Sequence, residues 1–547
     1  MAPSQSPITS DQLPGWMTSL SAVFVLAIGL PLIAVLVFGS MAFADLSALI
    51  SLAGTVLPEY LANTVLLCLM ALVVALLLGV SSAWFLSQYQ VPFGRVLEWA
   101  MILPMAMPAY VVAYAYTDAL DYSGWVSMAL RESLLNWGFL APRVGAYPWF
   151  EIRSLWGAAL ILGVALSPYV ALLARTAFDE RQANLAEAAR LSGLTSGQAF
   201  FRVILPMARP ALVAGGALVI MECLADYGTV AFFSVQTLST GLFKTWFSYG
   251  DRNGAALIGL MMLAMAFALL AWERAARGGA SYAGRARPVI NREPLRGLAR
   301  LWVPVVCSLA GVVGFVIPMG LLLHAALTAD VMLRAGTLLA QAGQTALYAS
   351  YAVLLILPIA VLQAYVLRSN AESWLAKATR LACSGYAVPG LVVAVGLLAW
   401  SALFTQSMMA WFDWRITLTV TSLLVLGGYL TRFFTVGFSS VETSMTRITP
   451  SLDWSARSLG LSPLRVLQLV HLPILRRGVL VGGLLVFVDV VKELPITLVL
   501  RPFNVETLAV AAHHFAADER LADAAWPSIA IALVGLIPVL VLGPRAR

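Results

Sequence analysis

Two pairs of carboxylates stand inside stretches that are otherwise almost entirely apolar. The first pair is Glu222 and Asp226 in "LVIMECLADYGTVAFF". The second is Asp489 and Glu493 in "LLVFVDVVKELPITLVL", where Lys492 lies beside Glu493. Each pair is spaced i,i+4, which predicts that its two side chains share one face of a helix. Charges in apolar surroundings are costly, so these residues mark either a path for a polar substrate or buried ion pairs.

The chemistry of these side chains favours contact with a hard cation, because such cations prefer oxygen ligands. We predict that the five residues line a translocation path and hold the substrate weakly and transiently. The alternative is structural pairing, for instance of Lys492 with Asp489 or Glu493. The sequence leaves both interpretations open.

Histidines offer a second chemistry. His513 and His514 lie close to Asp518 and Glu519, a set that could bind a metal ion. A solvated outer loop that contacts a partner protein explains the same residues more simply. The four histidines of the chain are too scattered to form a catalytic constellation. We therefore predict no catalytic residue and no metal site.

Composition places these residues in a membrane. Of the 547 residues, 61% are hydrophobic and only 11% are charged. A soluble protein of average composition carries about 25% charged residues, so this chain has too little polar surface to cover a soluble body. We expect an all-α integral membrane protein. The net charge of +7 is expected to follow the cytoplasmic loops, and it does not indicate a nucleic-acid partner.

About twelve stretches are long and apolar enough to cross a bilayer, which takes roughly 20 residues per helix. Pro104 and Pro108 in "ILPMAMPAYVV" predict a kink in the third of them. The predicted spans are residues 17–43, 61–87, 98–117, 155–174, 210–233, 254–272, 301–326, 343–367, 381–404, 416–436, 478–500 and 525–543.

A basic segment that contains glycine and proline, "RGGASYAGRARPVINREPLRG", divides the chain almost in half. Lys and Arg accumulate in cytoplasmic loops, so this segment predicts a flexible cytoplasmic linker over residues 276–300. Counting spans outward from it places both termini in the cytoplasm, together with the arginine-containing loops 176–209 and 437–477. The sequence thus predicts a first repeat at residues 1–275 and a second at residues 301–547.

The two halves contain related sequences. "EAARLSGLTSGQAFFRVILP" and the residues after it align without gaps with "WSARSLGLSPLRVLQLVHLP". A second block aligns "NTVLLCLMAL" with "QTALYASYAV", and Pro108 with Pro389. Because both copies face the same side, they predict a parallel repeat with a central path between the halves. The aligned pairs include Ala189 with Ala456, Arg190 with Arg457, Gly193 with Gly460, Pro206 with Pro473, Glu222 with Asp489 and Asp226 with Glu493.

The polar segment "EAARLSGLTSGQAFFRVILP" interrupts the apolar pattern. The stretch "LAEAARLSGL" has high helix propensity, and Gly193 is placed to end a short helix. The stretch "SGQAFFRVILP" predicts a second amphipathic piece, which returns towards the membrane at Pro206. A short helix with an apolar face needs a cover, either a partner protein or the lipid headgroups. Two copies at matching positions favour a two-fold partner.

This segment closely resembles the signature loop of binding-protein-dependent ABC-transporter permeases, and "WSARSLG" resembles it in part, with Trp454 in place of the glutamate. The resemblance covers nearly the whole chain. It implies the type I ABC-importer fold with two parallel six-helix permease repeats. It also implies that residues 176–209 and 437–477, named here the first and second coupling loops, dock on two copies of a cytoplasmic ABC ATPase. The implied docking residues are Glu187, Ala188, Ala189, Gly193 and Pro206 in the first loop and Ala456, Arg457, Gly460 and Pro473 in the second.

The sequences around the carboxylates, "ECLADYGTVAFFSVQTLSTGLFKTWFSYGD" and "DVVKELPITLVLRPFNVETLAV", resemble the ferric-iron branch of fused permeases. The resemblance implies a permease of the bacterial inner membrane. Such a permease receives ferric iron from a periplasmic binding protein and passes it to the cytoplasm. Related permeases carry thiamine, polyamines or phosphonates, so those cargoes remain alternatives.

The energy source is predicted to lie in another subunit. The chain contains no G-x-x-x-x-G-K-[ST] phosphate loop, so we expect ATP to act through a separate ATPase. This chain itself is expected to bind no cofactor and to be no enzyme. A less favoured alternative is a secondary transporter, driven by protons or sodium through the carboxylates. The paired coupling loops argue against it, because an ion-coupled carrier needs no docking helices.

Overall fold

The computed structural model describes residues 13–43, 50, 54–139, 149–191, 193–277, 292–328, 335–369, 372–414 and 417–543, and it describes the backbone alone at 180–191, 196, 420 and 542. This part of the chain is largely α-helical, as the apolar composition predicts. Its α-helices are α1 (Gly15–Phe43), α2 (Leu57–Gln88), α3 (Gly94–Ile102), α4 (Ala109–Leu120), α5 (Trp125–Asn136), α6 (Leu155–Leu191), α7 (Ser196–Ala199), α8 (Leu205–Ala225), α9 (Gly228–Phe232), α10 (Leu238–Phe243), α11 (Arg252–Arg277), α12 (Ala299–Gly311), α13 (Ile317–Thr328), α14 (Ala335–Ser369), α15 (Trp374–Ala382), α16 (Gly390–Phe412), α17 (Ser422–Met445), α18 (Pro450–Ser458), α19 (Pro463–Val466), α20 (Leu472–Lys492), α21 (Pro495–Leu500), α22 (Leu508–Ala517) and α23 (Leu521–Leu542).

Among the described residues, ten helical stretches are long and apolar enough to cross a membrane. A pair of helical pieces, Gly94–Ala106 and Ala109–Asn136, would make an eleventh, although the two pieces meet at an angle of 93°. This bend confirms the kink predicted from the prolines of the third span. The remaining predicted span, 478–500, corresponds to α20, which is too rich in charge to qualify by composition. Its charged residues are Arg476, Arg477, Asp489 and Lys492.

Prolines explain why two predicted spans have wrong boundaries. The third span, 98–117, is broken before Pro108, and the span predicted at 381–404 begins as α16 directly after Pro389. Proline forces the preceding residue out of the helical conformation, and the residue before each of these prolines is extended. The same order of elements, a short helix, a 3₁₀ turn, a proline and a longer helix, therefore occurs in both halves.

Contacts divide the chain into two compact units that do not coincide with the two sequence halves. The first unit contains Met1–Ser51, Leu242–Leu263 and Gly336–Val510. The second unit contains Leu52–Gly241, Ala264–Ala335 and Ala511–Arg547. Each unit thus combines most of one half with terminal helices of the other. The repeat boundaries at 275 and 301 concern sequence similarity, and they remain a prediction.

In the first unit, α1 packs against α15, α16 and α17. Polar groups join the helices inside this unit. Ser21 Oγ donates to Gln363 Oε1 at 2.7 Å, and Gln363 Nε2 donates back to the Ser21 carbonyl oxygen at 2.9 Å. Thr431 Oγ1 donates to the carbonyl oxygen of Ile28 at 3.0 Å. Such interhelical hydrogen bonds help to hold membrane helices together.

In the second unit, α2 packs against α6 and α8, α12 packs against α2 and α3, and α13 packs against α23. Small side chains make the first of these contacts close. Ala71, Ala75 and Ala83 on α2 are fully buried, as is Ala174 on α6. Small residues let membrane helices approach closely and gain dispersion energy where lipid offers no hydrophobic drive.

The predicted linker at 276–300 is described only near its ends, because residues 278–291 lie outside the described residues. Its C-terminal end is attached to the second unit. Glu293–Pro294 pairs in parallel with Tyr89–Gln90, and Gln90 Nε2 donates to the carbonyl oxygen of Arg292 at 3.0 Å.

Candidate translocation and coupling sites

The first carboxylate pair lies where α8 ends. The helix stops one residue before Asp226, so the span predicted at 210–233 was too long. Glu222 is half-buried in the last turn of α8, whereas Asp226 has an extended backbone. Asp226 accepts hydrogen bonds from the backbone N–H groups of Thr229 and Val230 at 3.1 and 3.2 Å and thereby caps the short helix α9. Asp226 therefore lies just beyond the helix that the i,i+4 spacing assumed.

The second carboxylate pair repeats this arrangement. α20 ends at Lys492, and Glu493 follows with an extended backbone. One carboxylate oxygen of Glu493 accepts a hydrogen bond from the N–H of Ile496, in the first turn of α21, at 3.1 Å. The other oxygen lies 3.4 Å from Arg432 Nε, and both of these side chains are buried. Here too the second carboxylate lies just beyond the helix that the spacing assumed, and Asp489 is half-buried in the last turn of α20.

Arg432 is a residue that the sequence analysis missed. It lies on α17, inside the span predicted at 416–436, where a lone arginine in an apolar run was the available signal. Its Nη1 also donates to the carbonyl oxygen of Val388 at 3.3 Å. The sequence suggested only Lys492 as a partner for Glu493, because Arg432 comes from a distant helix.

Both repeats therefore contain a helix that is interrupted at a carboxylate and followed by a short helix. In each interruption, a nearby hydroxyl satisfies the backbone oxygen of the carboxylate residue. Ser239 Oγ donates to the carbonyl oxygen of Asp226 at 2.8 Å, and Thr497 Oγ1 donates to that of Glu493 at 2.9 Å. Interrupted helices occur in membranes where they are buried in protein or line a cavity, and in transporters they form substrate sites.

The first coupling loop begins as the end of α6. Glu187, Ala188 and Ala189 lie in the last two turns of this 37-residue helix, and their side chains are outside the described residues. The separate short helix expected here is therefore wrong, because nothing breaks α6 before its end. Gly193 follows with a φ of +79°, a left-handed conformation that glycine adopts without strain.

A capping box restarts the chain after this glycine. The N–H of Gln198 donates to Thr195 Oγ1 at 3.3 Å, and the N–H of Thr195 donates to Gln198 Oε1 at 3.1 Å. A π turn at Phe200–Ile204 then leads into α8. Pro206 occupies the first turn of α8, where its missing N–H would have no helical partner.

The second coupling loop carries a separate nine-residue helix, α18, which begins at Pro450. On it, Ala456 is buried and Arg457 is half-buried. Gly460 ends the helix with a φ of +77°. Its N–H donates to the carbonyl oxygen of Arg457 at 2.8 Å, and the N–H of Leu461 donates to that of Ala456 at 3.2 Å. This pair of hydrogen bonds is a Schellman motif.

After the glycine, the second loop follows the same order as the first. A single-turn helix, α19, leads into a π turn at Leu467–His471, and Pro473 stands in the first turn of α20. The two loops differ in the helix before the glycine. Trp454, which aligns with Glu187, has an exposed indole.

His513 and His514 lie on helix α22 and not in the loop that the sequence predicted, and His513 and Glu519 have separate partners. His513 is buried, and its Nδ1 lies 3.1 Å from the hydroxyl oxygen of Tyr114. Glu519 accepts two hydrogen bonds from Arg153, at 2.6 and 2.7 Å, and these hold the pKa of Glu519 below its ordinary value. Over the ranges that the structure describes, no group of three or more His, Cys, Asp or Glu could hold a metal ion.

The chain shares sequence with known transport proteins. A family model described as "binding-protein-dependent transport system inner membrane component" matches residues 75–275, which include the first coupling loop. The molybdenum transport system permease protein ModB of Escherichia coli K12 is 30% identical over 226 residues, which are 40% of this chain and 92% of ModB. This chain belongs to the binding-protein-dependent transport permeases. The permease is also 30% identical to the sulfate transport system permease protein CysT of E. coli K12 over 229 residues. These are 41% of this permease and 76% of CysT.

One relative matches along its whole length. The Fe(3+)-transport system permease protein FbpB 2 of Haemophilus influenzae is 24% identical over 551 residues, which are 97% of this permease and 98% of that protein. These similarities confirm the predicted resemblance to fused ABC permeases, and they support a multi-pass protein of the inner membrane. Members of the family are transport subunits and not enzymes.

Proposed function

We propose that this permease is the membrane subunit of an ATP-driven importer for ferric iron. It receives the metal from a periplasmic binding protein and releases it into the cytoplasm. ATP acts through a separate ATPase, of which two copies dock on the two coupling loops. Both loops and both chain termini face the cytoplasm, and the permease itself binds no cofactor.

The duplicated coupling loop is the observation that supports an ATPase partner. Each loop has a left-handed glycine, a single-turn helix, a π turn and a membrane helix with proline in its first turn. Two loops of like structure suit two copies of one partner subunit. The proposed docking residues are those of the signature: Glu187, Ala188, Ala189, Gly193, Pro206, Ala456, Arg457, Gly460 and Pro473.

Ferric iron as the cargo is supported by the full-length similarity to an Fe(3+) permease and by the carboxylates. Asp226 and Glu493 have a structural task, since each caps a short helix. We assign Glu222 and Asp489, half-buried one turn before each interruption, to weak and transient contact with the metal. Oxygen ligands of this type suit a hard trivalent cation.

A second candidate cargo is an oxyanion, because the molybdenum and sulfate permeases are 30% identical to parts of this chain. Uptake by proteoliposomes that contain the permease, its ATPase and its binding protein distinguishes the candidates. We expect radiolabelled Fe(III) to enter only when ATP is hydrolysed. ATP-dependent entry of molybdate or sulfate, and not of iron, would show that the cargo is an oxyanion. Entry driven by a proton gradient without ATP would refute the ATP-driven mechanism.

A further inference from the structure

A buried ionic cluster attaches the second coupling loop to the end of α14. The side chain of Asp453, on α18, is fully buried, and its Oδ2 accepts hydrogen bonds from Arg368 Nε at 3.1 Å and Nη2 at 2.6 Å. Its Oδ1 lies 2.6 Å from Nε2 of His471, which is also fully buried. Burial alone would raise the pKa of Asp453, but the hydrogen bonds from His471 and Arg368 hold it below its ordinary value. The carboxylate is therefore charged at neutral pH.

The same end of α14 holds the other parts of this loop. Arg368 donates to the carbonyl oxygens of Met445 and Ile448, at 3.1 and 2.9 Å, where α17 ends and turns towards α18. Tyr365, one turn earlier on α14, donates its hydroxyl to the carbonyl oxygen of Pro463, the first residue of α19, at 2.9 Å. One helix end therefore fixes both helices of the second coupling loop and the turn before them.

The opposite end of α14 contacts the segment that follows the interrupted helix α20–α21. Gln341 Nε2 donates to Glu506 Oε2 at 3.1 Å, and the N–H of Glu506 donates to Gln344 Oε1 at 2.6 Å. The N–H of Leu508 donates to Thr345 Oγ1 at 2.9 Å. α14 has 35 residues, so one helix of about 50 Å connects the coupling loop with this segment.

In the first repeat, α2 makes the corresponding contacts at one end. Asn63 Nδ2 donates to the carbonyl oxygen of Gln236 at 2.9 Å, and the N–H of Leu238 donates to Thr64 Oγ1 at 3.0 Å. Asn63 and Thr64 align with Gln344 and Thr345, whose side chains make the hydrogen bonds on α14. The hydrogen bond from a leucine N–H to the threonine is therefore the same in both repeats, whereas the amide side chain donates in the first repeat and accepts in the second.

Among the side chains that the structure describes, the link to the coupling loop is chemically different in the first repeat. There an apolar cluster stands in place of the ionic one, with Ile204 buried and the Trp84 ring 5.6 Å from Phe178 and 4.5 Å from Phe200 between ring centroids. The aligned residues that replace the ionic cluster are uncharged: Ser87 for Arg368, Ala186 for Asp453 and Ile204 for His471.

We propose that Asp453 is a positioning residue that transmits the movement of an ATPase subunit from the second coupling loop to α14. The inference rests on the proposed function, because it requires an ATPase at that loop. Charge-assisted hydrogen bonds are directional, so the cluster fixes α18 against α14 in one geometry. Aromatic packing at the first loop is less directional. The two coupling loops therefore transmit movement through different chemistry, and the second does so through the Asp453 cluster together with the hydrogen bond from Tyr365 to Pro463.

The test compares the wild-type permease with variants, each assembled with the ATPase in nanodiscs, and measures ATP hydrolysis with and without the iron-loaded binding protein. In the double variant Asp453→Asn/Arg368→Gln both charges of this pair are removed, so neither is left buried without the other. We expect it to keep basal hydrolysis and to lose about ten-fold in stimulation by the binding protein. Tyr365→Phe removes a single hydroxyl and is expected to lose about three-fold.

Asp523→Asn is the matched control, because it removes a carboxylate that pairs with Arg520 outside both coupling loops. Its stimulation should equal that of the wild type. Wild-type stimulation in the double variant overturns the proposal. If the double variant does not assemble with the ATPase, the Tyr365→Phe variant provides the test. Wild-type stimulation of ATP hydrolysis in that variant then overturns the proposal. A wild-type permease that assembles with no ATPase refutes the proposed function instead, which is a different result.

Discussion

At the scale of single residues, four carboxylates that look alike in the sequence have two different tasks. Asp226 and Glu493 bind backbone N–H groups at the start of a short helix. Glu222 and Asp489 are half-buried in the helical turn before them. Equal i,i+4 spacing hid this difference, because spacing does not show where a helix ends. The two kinds of carboxylate should therefore respond differently to substitution.

We expect Glu222→Gln together with Asp489→Asn to lower iron uptake by about ten-fold or more, and to lower the thermal unfolding midpoint less than Glu493→Gln does. The amides keep the shape of the side chains but remove the charge that attracts a cation, and loss of a charge-assisted contact weakens binding by about 1.5–3 kcal/mol. Uptake of Fe(III) by proteoliposomes and the thermal unfolding midpoint in detergent measure the two quantities. For an oxyanion cargo, uptake would stay the same or rise.

Glu493→Gln is the contrasting variant in the same experiment. It leaves Arg432 buried without its counter-charge, and removing one partner of a buried ion pair costs about 3–5 kcal/mol. The unfolding midpoint should therefore fall clearly. If Glu493→Gln unfolds at the wild-type temperature, or if the Glu222/Asp489 double variant transports iron at the wild-type rate, the division into two kinds of carboxylate is incorrect.

At the scale of elements, the left-handed glycine is the feature that both coupling loops share. Gly193 and Gly460 have φ values of +79° and +77°. Apart from the neighbouring residues in the chain, no atom of the described part of the structure lies within 4 Å of a Cβ added at either position, so a substitution there would meet none of these atoms. Its cost would come from backbone conformation alone.

We expect Gly460→Ala to destabilise the end of α18 by about 1 kcal/mol, because a Cβ strains the left-handed conformation. Gly460→Asn should cost less, because asparagine tolerates this conformation better than alanine. Hydrogen–deuterium exchange of the peptide that covers residues 450–466 measures the local effect, and exchange should be fastest in the alanine variant. Gly193→Ala, in the other loop, serves as the control. Equal exchange in the Ala and Asn variants of Gly460 would show that the conformation does not limit the loop.

Sequence patterns predicted the elements well where one local signal decided them. Apolar runs indicated most of the membrane helices, and the prolines of the third span indicated its bend. Periodicity did not predict where a helix ends when the residue after it caps the next helix. Asp226, for example, follows the end of α8 and caps the start of α9. The cluster around Asp453 was missed entirely, because Arg368 lies 85 positions away in the sequence and only packing brings the two together.

At the scale of the whole molecule, the sequence did not indicate which helices belong to each of the two compact units. Alignment of the halves suggests that each half folds by itself, but α1 belongs to the unit that contains α14–α21. Buried hydrogen bonds hold it there, between Ser21 and Gln363 and from Thr431 to the backbone of Ile28. α12 and α13 likewise pack within the unit that contains α2 and α3. Sequence similarity reports common descent of the halves and not which helices touch.

This exchange of helices leads to a prediction about a divided chain. Two pieces, residues 1–284 and 285–547, should associate when they are expressed together, because contacts inside both units join them. The residues that align with ModB are 40% of this permease but 92% of ModB. A permease of this family can therefore be about half as long as this one. Purification through a tag on one piece, with detection of the other, measures the association, and iron uptake measures function. The first piece expressed alone should aggregate, since α1 would lose its hydrogen bonds with Gln363 and Thr431, and buried polar groups without partners are costly in a membrane. A first piece that is stable and monodisperse alone would show that these contacts form only after each half has folded.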